Sequence, residues 1–170
     1  MRRILIVGSS GAGKSTLARA VARRLDLPLI HLDRHYWRPG WAAPAEADFR
    51  AEVAALAARP SWVMDGNYGA TLDLRLPRAD LLVLVDLPWP LCLARVLRRR
   101  WDPRAAGRDD LPDGCPERLD LDFLRYLRRY PRDSRPRVLA ARAAHAPHLP
   151  LVRLRSRAEV HRWPRTLSAR

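Results

Sequence analysis

The sequence predicts an α/β fold in which a parallel β-sheet lies between two layers of helices. Short apolar, β-branched runs alternate along the chain with segments whose apolar residues recur at helical spacing. The run Leu81–Val85 is apolar at every position, which is typical of a strand covered on both faces of a parallel sheet. The 170 residues, 48% hydrophobic and 29% charged, suit a single globular domain spanning 1–170.

Five strands and six helices are predicted in this alternating order. The strands are 2–7, 28–32, 61–64, Leu81–Val85 and 149–154. The helices are Lys14–Leu25, 45–58, Trp89–Arg100, 119–130, 138–144 and one that Ser156 caps. Pro131 is expected to end the fourth helix, because a proline inside a helix removes a hydrogen bond and clashes with the preceding turn. The segment 101–116 lacks periodicity and is predicted to be a functional lid or a disordered loop.

The turn between the first predicted strand and the first helix has a phosphate-binding sequence. Gly8-Ser9-Ser10-Gly11-Ala12-Gly13-Lys14-Ser15 matches the P-loop pattern, G-x-x-x-x-G-K-S/T, in full. Its glycines let backbone N–H groups cradle phosphates, Lys14 reaches the β- and γ-phosphates, and the Ser15 hydroxyl binds Mg²⁺. The predicted cofactors are therefore ATP, with GTP left open, and Mg²⁺. The residues expected to hold the nucleotide are Gly8, Ser9, Ser10, Gly11, Ala12, Gly13, Lys14, Ser15 and Thr16.

The chain is strongly basic, with a formal net charge of +14, which favours phosphate-bearing partners. Lys14 is the only lysine, and every other residue among the 32 Lys and Arg is arginine. A lysine at this one position fits the P-loop, because the site takes a compact ammonium and no planar guanidinium. No apolar run approaches the ~20 residues that span a bilayer, so we expect no membrane association and a cytoplasmic protein. The oligomeric state is left open.

Three aspartates follow predicted strands. Asp65 follows 61–64 and Asp86 follows Leu81–Val85, and either suits the acidic residue that a P-loop site needs near Mg²⁺. Asp33, after strand 28–32, is predicted to orient or deprotonate an acceptor hydroxyl, with a loop-capping aspartate as the alternative. His31, Asp33 and His35 alternate as metal ligands can, but no further His or Cys cluster completes such a shell.

Arginines cluster just before the predicted lid. Arg95 and Arg99 are four residues apart and share a face of the predicted helix Trp89–Arg100. Phosphoryl transfer depends on positioning and charge neutralisation, so arginines that close over the phosphates have a clear role. The alternative is an ordinary solvated helix face. The predicted catalytic residues are Lys14, Asp33, Arg95 and Arg99.

The chain resembles a known group over almost its whole length. Beside the P-loop, residues 29–33 (Leu-Ile-His-Leu-Asp), 62–68 (Trp-Val-Met-Asp-Gly-Asn-Tyr) and 114–118 (Gly-Cys-Pro-Glu-Arg) are similar to the adenylate-kinase-related topology modulation (FlaR-like) family. The resemblance implies a three-layer P-loop NTPase fold with a five-stranded parallel sheet of nucleoside-monophosphate-kinase type. It also implies an acceptor-binding segment at 33–60 and an arginine-rich lid insertion at 101–137.

The same resemblance implies roles for single residues. Asp65 becomes the preferred acid on the metal side, together with Ser15, and the turn at Arg155 lines the nucleotide base. Adenylate kinases carry an arginine for the AMP phosphate where this chain has Asn67-Tyr68, which argues against AMP as the acceptor. The residues expected to meet the acceptor are Asp33, Arg38, Gly66, Asn67 and Tyr68.

These observations predict a phosphotransferase that moves the γ-phosphoryl group of ATP to a small acceptor, either a nucleotide or a hydroxylated metabolite. One alternative is a nucleotide-dependent regulator or NTPase that binds nucleic acid through its basic surface. The charge of +14 motivates it, although no nucleic-acid-binding motif accompanies that charge. Another is a hydrolase with water as its only acceptor, which the segment at Asp33 argues against.

Overall fold

The computed structural model describes residues 1–100 and 120–168, in which five parallel strands form one sheet. The strands are β1 (Arg3–Gly8), β2 (Leu29–His31), β3 (Trp62–Asp65), β4 (Leu81–Val85) and β5 (Leu151–Leu154). Their order across the sheet is β2-β3-β1-β4-β5, and every neighbouring pair is parallel. The prediction of a five-stranded parallel sheet is confirmed.

Helices connect the strands and cover both faces of the sheet. They are α1 (Lys14–Leu25), α2 (Leu32–Tyr36), α3 (Glu46–Ala58), α4 (Leu72–Arg75), α5 (Trp89–Arg100), α6 (Leu121–His145) and α7 (Arg157–Arg162). Short 3-10 turns lie at Pro39–Trp41, Gly69–Thr71, Leu76–Arg78 and Trp163–Thr166. Helices α1 and α5 have the predicted bounds. Within the described residues, no helix has both the length and the apolar character needed to cross a membrane.

Each face of the sheet has its own hydrophobic cluster, because successive strand residues point to opposite faces. Ile4 and Ile6 of β1 belong to the cluster that includes α1, whereas Leu5 and Val7 belong to the cluster that includes α3. Burying each aliphatic side chain of this size stabilises the fold by about 1.5–3 kcal/mol. The two clusters hold the sheet rigidly, so the carboxyl ends of β1, β2, β3 and β4 form a fixed edge.

The long helix α6 corrects one prediction. It continues through Pro131 and Pro136 to His145, so the prediction that Pro131 ends a helix is wrong. Leu127 is buried in the cluster with α1, and Val138 is buried in the cluster with α3. Burial at both ends favours one continuous helix despite the ~3 kcal/mol that an interior proline costs. Residues 121–137 of the predicted lid segment belong to α6, and 101–119, including the 114–118 motif, lie outside the described residues.

Candidate functional site

The turn from β1 into α1 has the conformation that a phosphate-binding loop requires. Gly11 and Gly13 adopt left-handed backbone angles, with φ of 74° and 95°. A Cβ on Gly11 would lie 2.4 Å from the Cys92 carbonyl oxygen, and one on Gly13 would lie 3.0 Å from Arg95 Nη2. Helix α5 therefore packs directly on this loop. The loop leads into the N-terminus of α1, the helix end that attracts anions.

Two of the predicted catalytic cations lie against this loop. Lys14 Nζ donates to the Ser9 carbonyl oxygen at 3.1 Å, and Arg95 Nη1 donates to the Ala12 carbonyl oxygen at 3.0 Å. Burial lowers the pKa of Arg95, and the neighbouring charge of Arg157 lowers it further. Like charges that crowd together in this way favour a bound anion. Arg99 lies half-buried one turn further along α5.

The two candidate acids on the metal side have different surroundings. Asp86 accepts hydrogen bonds from Arg153 Nε at 2.8 Å and from Arg135 Nη1 at 3.3 Å, so it joins β4 to β5 and α6. Asp65 ends β3, and its Oδ1 accepts from His31 Nδ1 at 2.5 Å, with both side chains buried. Both carboxylates are therefore paired within the chain, Asp86 with two arginines and Asp65 with one histidine, and the preference for Asp65 on the metal side stays a prediction.

The residues described do not form a metal-binding cluster by themselves. Within 1–100 and 120–168, no three His, Cys, Asp or Glu side chains come together as a potential metal site. The imidazole of His31 is bonded to Asp65, and that of His35 is bonded to Glu52 at 2.6 Å. Mg²⁺ in nucleotide sites needs only one or two protein oxygens, because phosphates and waters supply the others. Ser15 at the start of α1 and Asp65 at the end of β3 are chemically suited to that role.

Asp33 lies in the first turn of α2, because the second strand ends at His31 and not at residue 32 as predicted. Its Oδ1 accepts a hydrogen bond from the Tyr68 hydroxyl at 2.6 Å. Burial raises the pKa of Tyr68, and the charge of Asp33 raises it further, so the hydroxyl remains a donor at neutral pH. Tyr68 has a φ of 31°, a strained conformation for a bulky residue. Such strain, about 1–3 kcal/mol per residue, is typical of functional sites.

Arg75, which sequence reasoning did not single out, holds the loop that carries Tyr68. Its side chain is fully buried and donates to the carbonyl oxygens of Gly66, Asn67 and Tyr68 at 2.9, 2.6 and 2.9 Å. Its Nε donates to the Thr71 hydroxyl at 3.0 Å. Burial lowers the pKa of Arg75 to about 9, which still leaves it charged at neutral pH. The only sequence signal was an arginine between leucines in a short helix.

Asn67 joins three separate parts of the site. The Gly8 N–H, at the start of the P-loop, donates to Asn67 Oδ1 at 3.0 Å. Asn67 Nδ2 in turn donates to the hydroxyl of Tyr126 in α6 at 2.7 Å. Burial raises the pKa of Tyr126 to about 12, so this hydroxyl also stays protonated. Asn67 was predicted to contact the acceptor. In the structure, both polar atoms of its side-chain amide form hydrogen bonds within the chain. Tyr126 was not predicted.

Aromatic rings surround the region of Asp33. The ring of Tyr36 lies 4.7 Å from that of Tyr68 and 4.8 Å from that of Phe49, measured between centroids. Arg38 of the predicted acceptor set is exposed, and its backbone forms an isolated antiparallel bridge with Ala42. These ring contacts join α2 and α3 to the loop that follows β3.

A cleft of about 830 Å³ opens beside the P-loop. Its walls near the loop include Gly13, Thr16, Arg95 and Arg157. The backbone of the turn at residues 154–157 was predicted to line the nucleotide base; Arg155 and Arg157 are both exposed there, and Arg157 lines the cleft. The role of Arg155 therefore stays a prediction.

Comparison with solved structures identifies the fold. Shikimate kinase from Acinetobacter baumannii is 20% identical, with a TM-score of 0.56 over 83% of this chain and 80% of that one. Shikimate kinase from Bacteroides thetaiotaomicron is 19% identical, with a TM-score of 0.50 over 96% of this chain and 94% of that one. The fold is that of a P-loop kinase. At these identities the likeness concerns the fold alone.

Comparisons of sequence agree with a nucleotide-binding domain. The model of the ATPase family associated with various cellular activities (AAA) matches residues 4–63, which contain the P-loop. The uncharacterized protein YqaC of Bacillus subtilis (strain 168) is 26% identical over 146 residues, which are 85% of this chain and 80% of that protein. The resemblance to topology modulation proteins stays a prediction.

Proposed function

We propose that this protein is a Mg²⁺-dependent phosphotransferase that moves the γ-phosphoryl group of ATP to a hydroxyl of a small acceptor. The observation that carries the proposal is the loop 66–68, which is bonded to both halves of the site. Tyr68 donates to Asp33, and Asn67 accepts from the backbone of Gly8 in the P-loop. Hydrogen bonds through this loop thus link the carboxylate of Asp33 to the P-loop. Such an arrangement suits a reaction between a hydroxyl and a bound phosphate.

The cations around the loop would bind the nucleotide and stabilise the charge that develops during transfer. Lys14 is the compact cation for the β- and γ-phosphates, and Arg95 and Arg99 neutralise charge from the side of α5. Ser15 and Asp65 would hold Mg²⁺, which neutralises phosphate charge when bound. The glycines and amides of residues 8–16 cradle the phosphates.

Asp33 would act as the general base of the transfer. The acceptor oxygen forms a bond to the γ-phosphorus, and the bond between that phosphorus and the β–γ bridging oxygen breaks. The acceptor proton passes to Asp33, and ADP carries away the negative charge of the leaving oxygen. The Tyr68 hydroxyl orients the carboxylate for this step. Segment 33–60, with Arg38, Gly66 and the aromatic rings at its side, would enclose the acceptor.

The test is ADP release from Mg²⁺–ATP by the purified protein, with and without a panel of acceptors. The panel contains each nucleoside monophosphate, the nucleosides, shikimate and gluconate, with a short duplex DNA as a separate arm. We expect a large, saturable stimulation by one small acceptor, and its loss in Asp33→Asn with little change in ATP affinity. Arg34→Ala, one residue away on the same helix, is the matched control.

Two other outcomes would replace the proposal. If only DNA stimulates turnover, the nucleotide-dependent regulator is the better account of the chain. If ADP release is rapid without any acceptor and unaffected in Asp33→Asn, the protein is a hydrolase. Each of these results contradicts the role given to Asp33.

A further inference from the structure

His31 and Asp65 face each other across two neighbouring strands. They are the last residues of β2 and β3 and are partners in the parallel register, with His31 Nδ1 2.5 Å from Asp65 Oδ1. Residues paired in this way point to the same face of the sheet. Ile6, the partner of Asp65 in β1, belongs to the hydrophobic cluster that includes α1. Both side chains therefore lie on the face that α1 covers, and α1 is the helix that begins with Lys14 and Ser15.

The order of the strands places the two residues at different distances from the P-loop. Strand β3 lies directly beside β1, which leads into the loop, whereas β2 lies one strand further away. Because neighbouring strands are about 4.8 Å apart, Asp65 is the nearer of the two residues to the loop. We therefore expect any effect of His31 on a metal at the P-loop to act through Asp65.

The backbone fixes the relative position of the two strand ends. Gly66, directly after Asp65, has a φ of 139°, and a Cβ there would lie 2.8 Å from the Cβ of Leu32. The Gly66 N–H also donates to the Ile6 carbonyl oxygen at 3.2 Å. Since both strand ends are held in this way, the hydrogen bond from His31 sets the orientation of the Asp65 carboxylate.

The buried pair of His31 and Asp65 costs the fold stability that an apolar pair would not. Only 7% of the His31 side chain and 5% of the Asp65 side chain are exposed. Within the part of the chain that the structure describes, His31 Nε2 has no hydrogen-bond partner. Leaving a buried polar atom unpaired costs about 1–3 kcal/mol. Aliphatic side chains would fill these strand ends without that cost, so a role in the site explains the pair better than packing does.

The contact with His31 engages only one oxygen of the carboxylate. Because an ionised carboxylate accepts hydrogen bonds and cannot donate them, the hydrogen of this contact lies on His31 Nδ1. It is directed at Asp65 Oδ1, and a carboxylate has a second oxygen with acceptor capacity of its own. Mg²⁺ in nucleotide sites takes one or two protein carboxylates and retains several waters. A carboxylate held at one oxygen can offer the other, in a fixed direction, to the metal or to one of its waters.

We propose that His31 is a positioning residue for metal binding, which holds Asp65 through Nδ1 and so orients the carboxylate that supports Mg²⁺ beside the P-loop. This inference rests on the proposed function, because it takes Asp65 as the acid on the metal side. Side chains that orient a metal-supporting group in this way typically contribute about 10–100-fold to metal affinity. Removing the Nδ1 donor should therefore weaken the binding of Mg²⁺ and leave the binding of the nucleotide alone unchanged.

The test is calorimetric titration of the purified protein with a non-hydrolysable ATP analogue, once with Mg²⁺ and once with EDTA in its place. The ratio of the two affinities measures the gain from the metal. His31→Leu should reduce this gain by about tenfold and keep the affinity measured in EDTA. His31→Asn, whose amide nitrogen can take the place of Nδ1, should retain most of the gain. His31→Gln carries its amide one bond further along the side chain and should lose the gain as His31→Leu does.

His35→Leu is the matched control, because the Nδ1 of His35 is also bonded to a carboxylate, that of Glu52 at 2.6 Å. This variant should keep both affinities. Thermal unfolding of each variant shows whether it is folded. If His31→Leu does not fold, because the buried Asp65 has lost its partner, the comparison of His31→Gln with His31→Asn decides.

Three results overturn the positioning role of His31. The first is a full metal gain in the variants that lack the Nδ1 donor, and the second is an equal loss of the gain in His31→Asn. The third is a loss of affinity that is as large in EDTA as with Mg²⁺, because His31 then serves the fold and not the metal.

Two further variants separate these results from a failure of the proposed function. If Lys14→Met abolishes binding and Asp65→Asn removes the metal gain, while His31→Leu keeps it, only the role of His31 is wrong. If Asp65→Asn keeps the metal gain, the metal is held elsewhere, and the role of His31 fails with that of Asp65. If no affinity responds to Lys14→Met, the proposed function fails and the positioning role fails with it.

Discussion

Among single residues, Lys14 connects the composition of the chain most directly with its chemistry. All other residues among the 32 Lys and Arg are arginine, and this ammonium lies over the P-loop with Nζ 3.1 Å from the Ser9 carbonyl oxygen. A larger planar guanidinium would not fit the same place. Lys14→Arg should therefore lose turnover nearly as fully as Lys14→Met, by at least about 100-fold, a loss of the size seen when one donor to developing charge is removed. Steady-state ADP release measures this, and full activity in Lys14→Arg would show that only the charge matters.

Tyr68 carries the second prediction at this scale. Tyr68→Phe removes the hydroxyl that donates to Asp33 at 2.6 Å and keeps the ring that packs against Tyr36 and Phe49. A misoriented base slows the chemical step and leaves nucleotide binding intact, so kcat should fall about tenfold, the equivalent of one hydrogen bond, with KM for ATP unchanged. Tyr36→Phe removes the same atom from the neighbouring ring. A matching fall in that control would indicate a general packing defect.

We expect Arg75 to contribute more to the stability of the fold than to catalysis. Its guanidinium satisfies the carbonyl oxygens of Gly66, Asn67 and Tyr68, and these acceptors lose their partners if it is removed. Arg75→Met should lower the free energy of unfolding by about 3 kcal/mol, the usual scale for unpairing buried polar groups. Arg75→Lys keeps the charge but reaches fewer carbonyls, so it should fall between wild type and Arg75→Met. Urea denaturation measures both, and a change below about 0.5 kcal/mol in Arg75→Met would contradict this role.

At the scale of elements, Asp65 at the end of β3 and Asp86 just after β4 can be told apart by substitution. Asp86 joins β4 to Arg153 of β5 and Arg135 of α6, and its side chain is only 8% exposed. Asp86→Asn should therefore reduce stability, by about 2 kcal/mol, and leave the Mg²⁺ requirement of the reaction unchanged. Asp65→Asn should raise the Mg²⁺ concentration needed for half-maximal turnover. Titrating the activity of both variants with Mg²⁺ shows which aspartate supports the metal. The reverse pattern would assign the metal to Asp86.

Elements whose signals are local in the sequence were predictable. Helices α1 and α5 are 12 residues long with regular apolar spacing, and their predicted bounds agree with the structure. Helix α2 has five residues and α4 has four, too few for a period of 3.6 to show. Helix α6 was divided at Pro131 because local propensity favours a break there, and burial of Leu127 and Val138 in different clusters outweighs it.

The candidate site likewise has parts that could be predicted from the sequence and parts that could not. The P-loop was readable because its residues are consecutive and their spacing is set by phosphate chemistry. The hydrogen bonds from Gly8 to Asn67 and from Asn67 to Tyr126 each join residues 59 positions apart. No periodicity or spacing in a single sequence encodes such a pairing, so the link between the P-loop, the acceptor loop and α6 emerges only from the fold.

For the whole molecule, the net charge of +14 raises the question of whether the protein binds nucleic acid. Five of its arginines line the cleft beside the P-loop. The remaining basic surface should bind duplex DNA only through nonspecific attraction to phosphates. This attraction weakens steeply with added salt, because releasing the counterions of DNA then gains less entropy.

We therefore expect duplex binding at 50 mM salt to be almost lost by about 200 mM salt, whereas Mg²⁺–ATP binding should change far less. The reason is that ATP binding relies on a shaped loop with directed hydrogen bonds, and these are screened less than exposed charges. Fluorescence anisotropy with labelled DNA and with a labelled ATP analogue, over the same salt series, measures both affinities. Duplex binding that persists at 200 mM salt and strengthens with ATP would instead favour a nucleotide-dependent regulator, because its basic surface would then be organised for DNA.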